Sequence, residues 1–132
     1  MQIVRATLED AHDIAQVHVL AWRAAYDGIV PAAHLAAQSV AKRETVWREA
    51  IAKGMPEVWV AKTAGQLLGW VAFGPSRDQD AAPQAGEIWA LYVTPSHWSR
   101  GVGRQLWLRA RERLAEQEDD EGGAPVADAL QR

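Results

Sequence analysis

The sequence predicts one α/β (α+β) domain, a mixed and mostly antiparallel sheet flanked by helices. Three observations predict it. Two stretches, 8–26 and 101–117, repeat apolar residues at helical spacing. Two β-rich runs, Glu57 to Lys62 and Leu67 to Phe73, are separated by the turn Thr63-Ala64-Gly65-Gln66 and read as a hairpin. A third β-rich run, Glu87 to Val93, leads through a glycine-containing loop into the second helical stretch. With a short strand at Gln2 to Ala6 this makes four strands, and helices are expected at 8–26, 31–53 and 101–117.

Taken in order, Thr7-Leu8-Glu9-Asp10 has the form of a capping box, with Thr7 as N-cap and Asp10 three residues on. The helix after it presents Ala11, Ile14, Ala15, His18, Ala21, Trp22 and Ala25 on one stripe, and Asp27-Gly28 ends it. On that stripe His18 reads as a hydrogen-bonded core histidine, with a substrate contact as the alternative. Val30 to Ala52 is helical after Pro31, in two pieces, with Val40, Trp47 and Ile51 as its apolar edge. Gly54-Met55-Pro56 breaks the run before the hairpin, and Ser76 to Gly86 reads as a surface loop. Thr94-Pro95 stops the last strand, because proline cannot donate to a ladder. In the final helix Val102, Leu106, Ala110 and Leu114 recur every fourth residue. Beyond Gln117 the run Glu118-Asp119-Asp120-Glu121 places negative charge at a helix C-terminus, and Gly122-Gly123-Ala124-Pro125 follows. Residues 118–132 therefore read as a frayed end and a weakly ordered tail, outside a domain of residues 1–117.

The loop Trp98-Ser99-Arg100-Gly101-Val102-Gly103-Arg104 has a physical use. The first N–H groups of a helix have no partner within it, and the helix dipole adds partial positive charge there. Gly101 and Gly103 let a phosphate approach the backbone, and Arg100 and Arg104 add charge. The loop is a credible pyrophosphate cradle. It is not a P-loop, since Gly103 is followed by Arg104-Gln105 instead of Lys-Ser/Thr. The dinucleotide fingerprint starting at Gly101 fails at Leu106, where a small residue is required.

Composition bounds the remaining options. The 132 residues suffice for one domain, and 48% hydrophobic with 23% charged residues is ordinary for a globular chain. A net charge of −3 argues against a general nucleic-acid binder. Without cysteine there are no disulfides, thiol nucleophiles or cysteine metal sites. His12, His18, His34 and His97 show no metal-ligand spacing, so no metal is expected. No apolar run reaches membrane-spanning length, and Glu9-Asp10 comes too early for a signal peptide, so a cytoplasmic protein is expected.

The segment V-x-P-x-x-W-x-x-G-x-G, Val93 to Gly103, together with the preceding E-I-W-A-L-Y-V, resembles the acetyl-coenzyme A motif and fourth strand of the GNAT superfamily of N-acetyltransferases. The resemblance covers roughly Met1 to Gln117. The family form is Gln/Arg-x-x-Gly-x-Gly/Ala; here Trp98 stands at the Gln/Arg position, which removes one polar contact. The resemblance implies transfer of an acetyl group from acetyl-CoA to an amine by direct attack. It implies pantetheine pairing on Leu91, Tyr92 and Val93, and the pyrophosphate on Trp98, Ser99, Arg100, Gly101, Val102, Gly103 and Arg104. It also implies an acceptor site bordered by Trp22 and Tyr26, and Glu87 as the base. Glu87 reads equally well as a solvated strand end, and packing alone explains Trp22 and Tyr26 about as well.

The family normally continues with a fifth strand, another helix and two closing strands, and nothing after Gln117 resembles them. The expected fold is thus GNAT-like and truncated after the motif-bearing helix. Its sheet edge at Glu87 to Val93 is expected to lie open, inviting pairing with a second copy. Either Val126 to Leu130 folds back as a makeshift strand or two chains associate; Gly122-Gly123 and Pro125 favour association or marginal stability, and a poor catalyst. Two other readings stand beside the enzyme: a non-catalytic fragment or partner subunit that binds coenzyme A weakly, and a nucleotide-binding module.

Overall fold

The structure, a computed structural model, describes residues 1–26, 40–76, 86–121 and 126–128, with side chains through Glu116. Its elements are β1 (Gln2–Arg5), α1 (Ala11–Tyr26), α2 (Val40–Lys53), β2 (Glu57–Thr63), β3 (Gln66–Pro75), β4 (Gly86–Val93), α3 (Val102–Glu121) and β5 (Val126–Asp128). One 3-10 turn, Leu8–Asp10, precedes α1 and another, Pro95–His97, lies between β4 and α3. The strands form one sheet in chain order. β1 to β4 are antiparallel, and β5 is parallel to β4.

Each helix lies where its apolar spacing meets the sheet. On one face Val102, Leu106, Ala110 and Leu114 of α3 pack on Val71, Phe73, Ile88, Leu91 and Val93. On the other, Ile14, Val17 and Ala21 of α1 pack on Val58, Val60, Trp70, Ala72 and Tyr92, with Trp47 and Ile51 of α2 against them. The Asp10 carboxylate accepts the Thr7 N–H at 2.8 Å, half of the reciprocal capping pattern, and pairs with Lys62 at 2.7 Å. The start of α1 is thereby tied to β2.

A bulge decides which way the end of β4 faces. Ala72 pairs with Ala90 but Phe73 pairs with Ile88, leaving Trp89 out of register. Past it, Leu91 and Val93 share the α3 face with Ile88, while Ala90 and Tyr92 face α1. The peptide groups follow from the ladder. Thr94 N–H donates to Leu68 at 2.8 Å, and Tyr92 lies opposite Trp70. Because antiparallel pairs alternate, Tyr92 turns its N–H and C=O to β3, and Leu91 and Val93 turn theirs to the far edge.

Two expectations about the tail are corrected. Helix α3 runs to Glu121, past the expected end at Gln117. Each added residue gains one backbone bond, glutamate is a good helix former, and the dipole penalty is only a few tenths of a kcal/mol. Val126–Asp128, expected to make a poor strand, pairs with Gly86–Ile88. The reason is that the outer edge of β4 there offers backbone donors and acceptors, which a nearby chain segment satisfies even when its own β-propensity is low. The sheet therefore has five strands, not four. The expected stop at Asp27-Gly28, residues 31–39 of the second helical stretch, residues 77–85 of the loop, Gly122 to Pro125 and residues 129–132 lie outside the described residues.

Candidate active site at the end of strand β4

A cavity of about 690 Å³ opens where the end of β4, the loop after it, α3 and α1 meet. One wall is Leu91, Tyr92 and Val93; the second is His97, Trp98, Ser99, Gly101, Gly103 and Arg104; the third is Ala21 and Ala25 of α1. Trp107 and Leu108 extend it along α3. The small α1 residues leave the space that larger ones would fill.

The loop's backbone is built for an anion. Gly101 has φ +83° and nothing within 4 Å of the place a side chain would occupy. A Cβ at Gly103 would meet Leu91 and Val93 at 3.5 and 3.6 Å, so the first turn of α3 lies close on β4. The first intrahelical bond runs from Gln105 N–H to the Gly101 carbonyl at 3.1 Å. The amides before Gln105 stand at the helix N-terminus, where donors have no helical acceptor. Open space, N-terminal amides and the Arg104 side chain together fit a pyrophosphate.

Ser99 is left-handed at φ +63°, a region that non-glycine residues rarely enter. Beside it the Trp98 indole Nε1 donates to the Val93 carbonyl at 2.7 Å. The Ser96 hydroxyl and His97 Nδ1 are 2.9 Å apart.

The structure thus brings eight of the expected site residues together: Leu91, Tyr92, Val93, Trp98, Ser99, Gly101, Gly103 and Arg104. Leu91 and Val93 offer peptide groups to the open edge; Tyr92 contributes its side chain instead, since its peptide groups face β3. Arg100 is exposed and Val102 is buried in the α3 core, so neither lines the cavity. Trp22 and Tyr26 pack against each other at a tilt, ring centroids 5.1 Å apart, but also lie outside the lining. Glu87 is half-buried opposite Gly74, roughly 15 Å along β4 from Tyr92, and does not line the cavity.

Behind Tyr92 is an aromatic cluster that the sequence did not group. His18 stacks on Tyr92 with ring centroids 4.4 Å apart, and Trp70 lies 5.3 Å from Tyr92 and 4.5 Å from Trp47. His18 Nδ1, Trp47 Nε1 and Trp70 Nε1 are buried with no hydrogen-bond partner among the described residues. The expected core histidine is therefore stacked, with its buried Nδ1 unbonded among those residues. Burial, and secondly the charge of Arg43, lower its pKa from 6.5 to about 4, so the ring is neutral at pH 7. Burial also raises the Tyr92 phenol, which stays protonated. The signal for this cluster was the helical stripe carrying His18, but the partners of His18 in it come from three other elements.

No group of three potential metal ligands occurs among the described residues. Among them, no helix is long and apolar enough to cross a membrane.

The acetyltransferase (GNAT) family model matches residues 12–122. The chain is similar to an uncharacterised N-acetyltransferase of Bacillus subtilis, 36% identical over 110 residues, covering 83% of this chain and 61% of that one. It is also similar to a probable N-acetyltransferase of Mycobacterium tuberculosis, 30% identical over 103 residues, covering 76% and 58%. The chain spans about three-fifths of the length of these curated relatives. Among solved structures, it resembles the PaiA N-acetyltransferase of Thermoplasma acidophilum in complex with coenzyme A, with a TM-score of 0.74. That match covers 88% of this chain and 72% of the other, and its 17% identity shows the fold alone. A GNAT family acetyltransferase of Brucella melitensis in complex with acetyl-CoA aligns at TM-score 0.62 and 28% identity, covering 93% and 70%.

Proposed function

The chain belongs to the GNAT acetyltransferase family, and from that premise we propose that it transfers an acetyl group from acetyl-CoA to an amine by direct attack. One observation carries the reading: a single cavity joins the open edge of β4 to the N-terminal turn of α3. An extended arm pairs with a strand edge, and a pyrophosphate sits at a helix N-terminus. Coenzyme A has both parts in one molecule. The complexes of two similar proteins with coenzyme A and acetyl-CoA support the same ligand.

In this reading Leu91 and Val93 offer peptide groups to the pantetheine arm. The loop amides from Ser99 to Arg104 and the Arg104 side chain hold the pyrophosphate, and Arg100 adds charge from outside the lining. An open-edge N–H on β4 polarises the thioester carbonyl, where negative charge develops in the transition state. The amine nitrogen forms the new C–N bond as the C–S bond breaks, and the proton that the acylated nitrogen then gives up goes to the leaving thiolate. A lysine-like amine has a pKa of about 10.4 and must lose a proton to attack. Glu87 takes it; since Glu87 lies outside the cavity lining, the proton passes through water. Trp22 and Tyr26 border the acceptor. The work is done in the cytoplasm, and residues 1–117 carry every residue named in this reading.

Calorimetric titration with coenzyme A, NAD and ATP tests the cofactor. Binding of coenzyme A with neither of the others is expected; equal binding of ATP would favour a nucleotide-binding module. Mass spectrometry over a panel of amines with acetyl-CoA tests transfer. Binding without acetylation of any amine would leave a coenzyme-binding partner subunit as the function.

A further inference from the structure

We propose that Trp98 is a positioning residue for the coenzyme, a latch that closes the open edge of β4 at Val93 and holds the phosphate loop in its ligand-ready shape. The proposal rests on the coenzyme reading above. It starts from which peptide groups face the edge. Beyond the bulge these are the N–H and C=O of Leu91 and of Val93, by the alternation of the β3–β4 ladder. The Val93 carbonyl is already used: the Trp98 indole N–H donates to it at 2.7 Å. An extended arm laid along the edge therefore finds the two Leu91 groups and the Val93 N–H, and its pairing ends there. The latch sets the register of the arm.

The same bond fixes the loop. It closes a ring from Val93 to Trp98 across the 3-10 turn, inside which His97 N–H donates to Thr94 and Trp98 N–H to Pro95, at 2.9 and 3.2 Å. The next residue is the left-handed Ser99, at φ +63°. A left-handed serine persists only where its surroundings hold it. The Trp98 ring, anchored on Val93, is the neighbouring constraint, and through Ser99 it orients the turn leading to Gly101. The rest of the ring is not core, since Trp98 is 44% exposed and lines the cavity. Its indole N–H, a donor that buried tryptophans normally satisfy, is spent on the strand that the ligand reads.

The test removes the donor and keeps the ring. Benzothienylalanine at position 98 replaces the indole N–H by sulfur at almost the same shape, and Trp98→Phe is the second variant. Ser99→Gly is made alone and in each of these backgrounds. Coenzyme A affinity is measured by calorimetry, and amide hydrogen exchange of residues 99–103 is measured without ligand. Loss of the donor is expected to weaken coenzyme A about fivefold to tenfold and to speed loop exchange, with the ligand-free melting temperature almost unchanged. Ser99→Gly is expected to restore affinity in the donorless proteins more than it alters the parent, because glycine is left-handed without strain. Unchanged or tighter coenzyme binding in both donorless proteins, or a Ser99→Gly effect equal in all backgrounds, overturns the latch alone. A parent chain that binds no coenzyme A overturns the coenzyme reading, and the proposal with it.

Discussion

His18 shows how one side chain couples the core to acidity. Its ring is stacked on Tyr92 and tilted against Trp70 at 5.7 Å, with Nδ1 buried and without a hydrogen-bond partner among the described residues. Burial and the nearby Arg43 lower its pKa from 6.5 to about 4. Between those values the unfolded chain binds more protons than the folded one. Stability is therefore full above pH ~6.5 and falls as the pH drops toward about 4. His18→Gln is expected to flatten that slope in thermal unfolding from pH 7 to 4; parallel slopes in the two proteins would assign the loss to other groups. At Glu87 the question is chemical. Glu87→Gln keeps the shape and removes a proton acceptor, so turnover should drop with coenzyme affinity spared. The acidic limb of the pH–rate profile is the readout, and an identical limb in both proteins would remove Glu87 as the base.

At the scale of elements, one carboxylate ties β2 to α3. Glu57 is buried and accepts hydrogen bonds from Arg113 Nε and Nη2 at 2.7 and 3.2 Å and from Trp59 Nε1 at 2.8 Å. Arg5 lies 3.7 Å away. Burial raises the Glu57 pKa, but the bonds from Arg113 and Trp59 and the positive charges outweigh it, so the net shift is downward. The stabilisation is present above the ordinary glutamate range and is lost as pH falls through the lowered value. Arg113→Met removes two of the hydrogen bonds that the carboxylate accepts. It should destabilise by about 2 kcal/mol in urea unfolding at pH 7, with the difference shrinking in acid. No loss at pH 7 would mean that the pair is balanced by its desolvation. The entry to α3 is a second such junction. At Gly101, with φ +83°, a β-branched side chain is strained even though space is open. Gly101→Val is expected to weaken coenzyme A about tenfold, and unchanged affinity would move the phosphate site elsewhere.

For the whole molecule, the sheet edge is the deciding feature. β5 pairs with Gly86–Ile88, so among the described residues no strand of the ladder covers that side of β4 from Ala90 to Val93. That stretch is where the coenzyme arm is proposed to pair, and an exposed edge also attracts a second copy of the chain. The two occupants compete for the same peptide groups. Sedimentation at several protein concentrations should show association that saturating coenzyme A suppresses. A mass that ignores the ligand would separate the association surface from the β4 edge.

By itself the sequence determined the order of elements, the helical stripe Val102-Leu106-Ala110-Leu114 that packs on the sheet, and the loop that opens α3. These are local: helical spacing, a hairpin turn and glycines at a helix start act over a few residues. Only the tertiary structure decided which side of β4 does what. Simple alternation from Ile88 would put Tyr92 on the α3 face; the bulge at Trp89 turns it to α1, into the cavity and against His18. The Trp98–Val93 bond and the Glu57–Arg113 tie were also out of reach, and the choice between a folded-back fifth strand and an open edge was left to the fold. Each depends on register or on residues brought together by folding, and a one-residue slip reverses every face of a strand. The letters of the chain carry its periods; the partner strand supplies the register.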